Sequence, residues 1–501
     1  MINMTAIEDL DAYFKKLRRL SYISSLLGWD QEVNMPEGSA KGRSEQLALI
    51  SELYHKKLIS DKTGKLIKAA EKENDLSLIE SALVREARRE YDKAVKIPVE
   101  LSVEISRAAS LGQEAWKKSR ANNDFSIFQP HLEKLIELKK EYADKLDIGK
   151  TRYDALLDDY EPGATSEWIS NVFNDLKTQL SAVLDKLETS NNKPNQDILK
   201  KSYDKQKQWD LSMEIIKKLN FDFQIGRQDK STHPFTSSLS SQDVRITTRI
   251  NENFLNECLF GTIHECGHAL YEMGYMEEIH DTILADGSSL GIHEAMSRTY
   301  ENIVGRSREF WNYWYPIAQD YFPNVLSDYP KEEFYRSINS VQPSLIRVEA
   351  DEVTYAMHII LRFELEKKLI NEENIAINEL PQVWDSMMDE YLGITPPDQA
   401  KGVLQDIHWS MSAFGYFPTY ALGNLYGAQI YNKALEVAPD LPKDYEKGDF
   451  SNLLGFMREN IHRFGSVYEP RDLIKKVTGE KLNAKYFIDY VKDKFYPIYE
   501  V

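Results

Sequence analysis

Two histidines of this sequence have the spacing of residues that share a metal ion. His264 and His268 flank Glu265 in the segment HECGH. Residues four apart lie on the same face of an α-helix, so the two imidazole rings can bind one ion, typically zinc. Glu265 would stand beside that face and take a proton from a water molecule at the metal. The segment therefore predicts a zinc site that activates water for hydrolysis.

A catalytic zinc ion also needs a third protein ligand and one open position. Two glutamates downstream, Glu294 and Glu301, fall in a segment whose apolar residues have helical spacing. That spacing leaves both carboxylates possible as the third ligand. Cys266 lies between the two histidines in sequence but points away from their face of the helix. We predict that Cys266 and Cys258 are packed in the core and bind no metal.

The elements that must position these residues are mainly helices. Apolar residues three and four apart, mixed with many charged ones, occur in the segments 37–97, 99–122, 126–147 and 165–190. Pro98 and Pro130 stand where helices can begin. This spacing therefore predicts that roughly the first 220 residues form a stack of long helices with charged outer faces.

One stretch near the middle of the chain interrupts this helical pattern. Residues 231–242 are rich in Ser and Thr, which predicts a loop. Residues 243–250, DVRITTRI, alternate in polarity and predict a β-strand. Such a strand either lies at an edge, where it pairs with the backbone of a bound peptide, or simply closes a small sheet. We predict one domain over 1–501 with the chemistry in 221–501.

The composition of the 501 residues excludes several classes of protein. Asp and Glu number 80 against 62 for Lys and Arg, so the formal net charge is −18. A chain this acidic is a poor candidate for binding nucleic acid or an anionic membrane. It has no apolar run long enough to span a bilayer and no signal-peptide pattern. With only two cysteines, it is expected in a reducing compartment, and we predict a cytoplasmic protein.

Six segments carry a family resemblance. In chain order they are HPF (233–235), DVRIT (243–247), HECGHALYE (264–272), HEAMSR (293–298), IRVEAD (346–351) and GVLQDIHW (402–409). Together they resemble the motifs of the Taq-type HExxH metallocarboxypeptidases, the M32 peptidases. Ala295 and Met296 depart from the small and polar residues that often fill those positions, and this should not disturb a neighbouring ligand.

The resemblance implies a structure, a reaction and a cofactor. It implies a large helical body of the zincin type with a deep substrate cleft, in which 1–220 form the wall and 221–501 the catalytic half. It assigns Glu294 as the third ligand of Zn²⁺, with Co²⁺ or another divalent metal also possible. The implied activity is removal of single C-terminal residues from peptides with broad specificity, by a homodimer.

A carboxypeptidase must bind the free carboxylate of its substrate, which calls for a cation near the metal. Arg347 lies in the IRVEAD segment and is the preferred candidate, although nearby acidic residues could make it a structural ion pair. Arg245 is a second candidate for substrate binding, or it anchors the loop around Asp243. Gln405, in the GVLQDIHW segment, is a further candidate for substrate binding.

Three more residues are candidates for contact with the scissile bond. His408 could donate a hydrogen bond to a substrate carbonyl group, with Asp406 orienting its ring. A tyrosine hydroxyl could stabilise the oxyanion that develops during attack. Tyr420 is chosen for this role ahead of Tyr416, which is assigned to substrate binding; both follow a marked turn in the segment FGYFPTYALGNLY.

Two other functions stay open at this stage. The helical zincin architecture is shared with endo-oligopeptidases and dipeptidyl carboxypeptidases, and an amidated peptide would discriminate them from a carboxypeptidase. A helical scaffold with a vestigial metal site is the other alternative, against which the presence of Glu265 argues.

Overall fold

The first half of the chain is helical, as the apolar spacing predicts. The computed structural model describes residues 5–371 and 375–501. In this described part, nine α-helices precede the first strand: α1 (Ala6–Val33), α2 (Ala40–Leu58), α3 (Asp61–Ala70), α4 (Leu78–Lys96), α5 (Val99–Asn122), α6 (Gln129–Leu146), α7 (Arg152–Leu157), α8 (Ser166–Glu188) and α9 (Lys205–Lys218).

Local signals in the sequence account for where several of these helices begin. Thr5 and Ser77 start α1 and α4 through capping boxes, in which the hydroxyl and a glutamate three residues later satisfy backbone N–H groups. Pro98 immediately precedes α5, and Pro130 is the second residue of α6. The predicted roles of both prolines are confirmed.

A three-stranded sheet follows, with β1 (Gly226–Lys230), β2 (Thr236–Ser240) and β3 (Asp243–Thr248). The strand order is β1-β3-β2, with β1 parallel and β2 antiparallel to β3. The predicted strand is therefore the central one. Of its two alternative roles, pairing with substrate as an edge strand is wrong, and forming part of a small sheet is correct. The prediction of a loop over 231–242 is also wrong in part, because β2 forms there and lies at the edge.

The second half of the described chain contains twelve more α-helices. They are α10 (Leu255–Glu272), α11 (Leu290–Arg298), α12 (Arg308–Tyr321), α13 (Pro323–Leu326), α14 (Lys331–Ile338), α15 (Tyr355–Asn371), α16 (Leu380–Leu392), α17 (Pro418–Val437), α18 (Leu441–Tyr445), α19 (Ser451–Asn460), α20 (Pro470–Thr478) and α21 (Lys485–Tyr499). A π-helical turn, Thr299–Val304, continues α11. None of the described helices combines the length and the apolar character that a membrane-spanning segment requires.

The core around α10 fixes the helix that carries the HECGH segment. Ile263, Cys266 and Leu270 are completely buried, and Cys258 is nearly so. Burying each aliphatic side chain stabilises the fold by about 1.5–3 kcal/mol. The two cysteines are buried and free, so their predicted place in the core is confirmed.

Glycines let α11 approach its two neighbours closely. A Cβ atom on Gly267 of α10 would lie 2.7 Å from Cα of Ser297 in α11. A Cβ on Gly423 of α17 would lie 2.5 Å from Cγ of Glu294. The side chain of Glu294 therefore packs directly against the backbone of α17 at Gly423.

Candidate metal centre

The structure brings the three predicted ligands together at the contact between α10 and α11. Oε2 of Glu294 lies 3.7 Å from Nε2 of His264 and 3.6 Å from Nε2 of His268. All three ligand atoms lie within 4.8 Å of one another. The ligand atoms of a tetrahedral zinc ion stand about 3.4 Å apart, because each bond is about 2.0–2.2 Å long. Two imidazoles and one carboxylate at these separations fit a divalent metal.

The neighbours of Glu294 leave only one of its oxygens for a metal. Arg298 donates from Nε to Oε1 of Glu294 at 2.6 Å, so Oε2 is the atom that faces the histidines. Burial opposes the charged form, but Arg298 and then His264 outweigh it and hold the pKa of Glu294 well below its usual range. The carboxylate is therefore charged, as a metal ligand must be.

Glu301, the other candidate from the sequence, lies beside the candidate ligand His264 and outside the set of three. Its Oε2 lies 2.8 Å from Nδ1 of His264 and accepts from Nη1 of Arg298 at 3.1 Å. A carboxylate in this position orients a ligating imidazole and makes it a better donor to the metal. Glu301 lies in the π-helical turn, a feature often found at functional sites.

His268 has a partner that sequence reasoning did not single out. Its Nδ1 lies 2.6 Å from Nδ1 of His293, and Nε2 of His293 lies 2.7 Å from Oε1 of Glu272. Glu272 is four residues after His268, so it shares a helix face with both histidines. This spacing is a signal that could have found it. His293 precedes Glu294 in sequence, where spacing alone gives no reason to expect it at the same site.

Glu265 is buried next to the three candidate ligands. Oγ1 of Thr236, on β2, donates to Oε2 of Glu265 at 2.6 Å. Burial raises the pKa of Glu265, and the neighbouring His264 and Thr236 moderate that rise. A carboxylate with a raised pKa is a better acceptor of a proton. Thr236 was missed because its segment was interpreted as a loop.

His408 and the two tyrosines form one cluster. Nε2 of His408 lies 3.2 Å from the hydroxyl of Tyr420, and the rings of Tyr416 and Tyr420 are 5.3 Å apart. Burial raises the pKa of Tyr420 well above its ordinary value, so its hydroxyl keeps its proton. Burial also lowers the pKa of His408 to about 4, so the ring is neutral near pH 7.

Arg347 lies behind this cluster in a buried group of charges. Its Nε donates to Oδ1 of Asp406 at 3.0 Å, and its Nη1 donates to the hydroxyl of Tyr355 at 2.9 Å. Arg362 donates from Nε to Oδ2 of Asp406 at 2.6 Å. Burial opposes ionisation of Asp406, but the two guanidinium groups outweigh it and hold its pKa well below the usual range. Two arginines sharing one carboxylate leave one net positive charge.

The two remaining candidates are engaged by neighbours of their own. Oε1 of Gln405 accepts from the backbone N–H of Arg347 at 2.9 Å, so Gln405 holds the segment that carries Arg347. Arg245 makes a two-pronged ion pair with Asp243, at 2.9 Å and 2.8 Å, and its guanidinium lies 4.2 Å from the ring centre of Trp29. This arrangement matches the anchoring role that was the alternative for Arg245.

Comparisons with known proteins give the family. The sequence profile described as carboxypeptidase Taq (M32) metallopeptidase matches residues 9–495. "Carboxypeptidase 1" of Bacillus subtilis is 39% identical over 97% of this chain and 98% of its own. The crystal structure of the M32 carboxypeptidase from Deinococcus radiodurans is 36% identical and superposes with a TM-score of 0.96, over 99% of this chain and all of that one. The Pyrococcus furiosus carboxypeptidase structure is 38% identical and has the same TM-score, over 99% of both chains. This chain therefore belongs to the carboxypeptidase Taq (M32) metallopeptidase family and is a metallocarboxypeptidase.

Proposed function

We propose that this protein is a zinc-dependent carboxypeptidase that releases single residues from the C-termini of peptides with broad specificity. The observation that carries the proposal is the convergence of His264, His268 and Glu294 beside the buried carboxylate of Glu265. Two imidazoles and a carboxylate are a donor set typical of catalytic zinc. Co²⁺ or another divalent metal can occupy the same donors.

We assign one residue to each step of hydrolysis. Zinc, when bound, supplies a Lewis acid that polarises the peptide carbonyl and acidifies water. Glu265 takes the proton from the attacking water and passes it to the leaving nitrogen. The hydroxyl of Tyr420 donates to the oxygen that becomes negative, while His408 holds that hydroxyl at 3.2 Å. Tyr416 extends the same aromatic surface for the substrate.

The charges around Asp406 support recognition of a free C-terminus. Arg347 and Arg362 together exceed Asp406 by one positive charge, and Arg347 lies 5.0 Å from the ring centre of Tyr420. A buried excess of positive charge attracts a carboxylate more strongly than it would in water. We propose that Arg347 guides the substrate carboxylate to the metal side of the cleft, and that Gln405 and Arg245 support the walls.

A comparison of acid and amide substrates tests the direction of cutting. Two peptides of one sequence, one with a free C-terminal carboxylate and one with a C-terminal amide, are incubated with zinc-loaded protein and followed by mass spectrometry. The acid should lose one residue at a time. The amide should react at least about 10-fold more slowly, because each charge-assisted hydrogen bond that it loses is worth about 1.5–3 kcal/mol.

Two arginine variants complete this test. Arg347→Ala should lower kcat/KM on the free acid at unchanged metal content, whereas Arg308→Ala should leave it unchanged. Arg308 forms an ion pair with Glu332 on the surface. Equal rates for acid and amide would instead indicate an endo-acting peptidase, and release of dipeptides first would indicate a dipeptidyl carboxypeptidase.

We also propose that the enzyme is cytoplasmic and acts as a homodimer. Both cysteines are buried and unpaired with each other, which suits a reducing compartment. The formal net charge of −18 supports neither nucleic acid nor an anionic membrane as a partner. Light scattering of the purified protein would measure the oligomeric state, and a monomer at micromolar concentration would contradict the dimer.

A further inference from the structure

We propose that His293 is a positioning residue for the metal, which orients the ligand His268 and connects it to the carboxylate of Glu272. This inference rests on the proposed metal site and adds residues to it. His293 stands between the other two side chains, 2.6 Å from His268 and 2.7 Å from Glu272. About one sixth of each histidine side chain is exposed, with values of 16% for His268 and 17% for His293.

Only one arrangement of protons satisfies this row of atoms when a metal is bound. His268 presents Nε2 to the metal position, next to Oε2 of Glu294, so its proton must be on Nδ1. That proton faces Nδ1 of His293, which must then be the acceptor. The proton of His293 is therefore on Nε2, where it is donated to Glu272. The orientation of His268 thus depends on a carboxylate that it does not touch.

The ring of His293 is held in place from several sides. Tyr271 packs against it with ring centres 5.1 Å apart. On Gly287 a Cβ atom would lie 2.8 Å from Cδ2 of His293, so only glycine leaves this ring its room. Oγ of Ser238, on β2, donates to Oε2 of Glu272 at 2.8 Å and fixes the far end of the row.

The two imidazole ligands are therefore supported in different ways. Nδ1 of His264 meets a carboxylate directly, at 2.8 Å from Glu301. His268 meets one through an intervening ring. Residues that orient metal ligands in this manner typically contribute 10–100-fold to metal affinity. Loss of the His293 ring would leave the Nδ1–H of His268 without an acceptor, and the ring free to turn away from the metal.

Zinc affinity of the apoprotein tests this proposal without measuring catalysis. Zn²⁺ is competed between the protein and a fluorescent chelator. His293→Leu should bind Zn²⁺ about 10–100-fold more weakly than the wild type. His293→Gln, which keeps an acceptor and a donor, should recover part of that loss. The visible spectrum of the Co²⁺-loaded protein should change in His293→Leu, because the geometry of one ligand changes.

His462→Leu is the matched control. His462 is also a buried histidine that packs against Tyr271, with ring centres 5.3 Å apart, but no hydrogen bond joins it to a ligand. Its variant should bind Zn²⁺ like the wild type. Equal weakening in His462→Leu and His293→Leu would overturn the proposal, since packing alone would then explain the loss.

Glu272 provides the second line of evidence. Because it acts through His293, Glu272→Gln should weaken Zn²⁺ binding in the wild type and add nothing in the His293→Leu background. If His293→Leu does not fold, the Zn²⁺ affinity of Glu272→Gln tests the proposal. An affinity equal to that of the wild type in Glu272→Gln overturns it. If the wild type binds Zn²⁺ and the His293 and Glu272 variants bind it equally well, only this inference is overturned. Wild-type protein that binds no divalent metal overturns the proposed metal site and this inference with it.

Discussion

Glu265 differs from the other carboxylates near the metal position in the kind of neighbour that holds it. Glu294 and Glu301 are paired with the cation Arg298, whereas Glu265 accepts a hydrogen bond from the neutral hydroxyl of Thr236. Carboxylates paired with a cation stay charged and suit metal binding, and a buried carboxylate with a neutral partner takes up a proton more readily. This difference in local electrostatics supports the proposed roles of Glu294 as a ligand, of Glu301 as the carboxylate that orients His264, and of Glu265 as the base.

Replacing Glu265 should separate catalysis from metal binding. Glu265→Gln is expected to keep its zinc, since no ligand is removed, and to lose at least about 100-fold in kcat, since no base remains. Metal content by atomic absorption and single-turnover kinetics measure the two properties. Glu257→Gln, on the same helix but paired with Arg249 at 3.7 Å, serves as the control and should keep both. Loss of zinc in Glu265→Gln would contradict the assignment of the base.

The two tyrosines should differ in how their loss divides between kcat and KM. Tyr420→Phe removes the hydroxyl that His408 holds, and kcat should fall about 100-fold with little change in KM. Tyr416→Phe should act mainly on KM, because that ring is proposed to contact substrate. Steady-state kinetics on one peptide measures both variants. If kcat falls more in Tyr416→Phe than in Tyr420→Phe, Tyr416 rather than Tyr420 stabilises the oxyanion.

At the residue scale, what could be predicted depended on whether the residues share one helix. His264, Glu265 and His268 are related by helical geometry alone, so their spacing in sequence determines their mutual position. The choice between Glu294 and Glu301 depends on how α11 lies against α10, which spacing does not give. The resemblance to the M32 motifs supplied that choice, and the structure places Oε2 of Glu294 beside the histidines.

Among the elements, the pair α10 and α11 determines the geometry of the site. One helix carries both histidines and the other carries Glu294, so the distance between the helices sets the distance between the ligands. Gly267 permits the close approach, because any side chain there would meet the backbone of Met296 and Ser297. Glycine allows such an approach because it has no Cβ.

Adding one methyl group at this contact should loosen the site. Gly267→Ala places a Cβ 2.7 Å from Cα of Ser297, which should destabilise the fold by about 1–3 kcal/mol and weaken zinc binding. Gly261→Ala is the control on the same helix, since its nearest neighbour is Cγ of Pro234 at 3.9 Å. The control should gain up to about 1 kcal/mol from its better helix propensity. Urea unfolding and chelator competition measure both effects, and equal results for the two variants would contradict the close-packing argument.

The sheet shows where prediction from the sequence stopped at the element scale. The alternation in DVRITTRI marked β3 correctly because its inward side chains, such as Val244 and Ile246, are completely buried. Strand β2 consists largely of Ser and Thr, and its pairing comes from β3 rather than from its own composition. Non-local hydrogen bonds of this kind leave no periodic signal, so neither β2 nor the central position of β3 could be derived from the sequence.

At the scale of the whole molecule, polar contacts that are exposed or half-buried join the helical half to the catalytic half. Arg18 on α1 donates to Asp286 and to the carbonyl oxygen of Ala285, next to the start of α11. Arg85 on α4 donates to the carbonyl oxygens of Ser466 and Val467. These contacts support the prediction of one domain, because separating the halves would leave charged groups without partners.

Glu366 makes the most deeply buried of these connections. Its Oε2 accepts from the hydroxyl of Tyr153, on α7, at 2.8 Å and from the backbone N–H of Gly415 at 2.9 Å. Its Oε1 accepts from Nε1 of Trp409 at 2.8 Å. Burial raises the pKa of Glu366 to about 7, against an ordinary value of 4.5, although the three donors oppose the rise.

This raised pKa predicts that stability falls as the pH rises. The folded state binds the proton of Glu366 more tightly than the unfolded state, so its contribution is complete below pH 4.5 and is lost as the pH rises to about 7. Glu366→Gln cannot ionise. Relative to the wild type, this variant should therefore become more stable by about 3 kcal/mol between pH 4.5 and pH 8.5. Urea unfolding in the presence of chelator, at both pH values, measures the change.

A comparison with Tyr153→Phe separates the ionisation of Glu366 from the hydrogen bond between Tyr153 and Glu366. That variant keeps Glu366 and removes the donor on α7, so its stability should decrease at every pH while the fall with rising pH is retained. Glu366→Gln, in contrast, should lose this part of the pH dependence. Any stability that it loses through altered hydrogen bonds should be the same at every pH. The difference in the free energy of unfolding between Glu366→Gln and the wild type could instead be the same at pH 4.5 and pH 8.5. That result would show that the carboxyl group of Glu366 is charged throughout. The two halves would then be joined by a buried carboxylate rather than by a neutral acid.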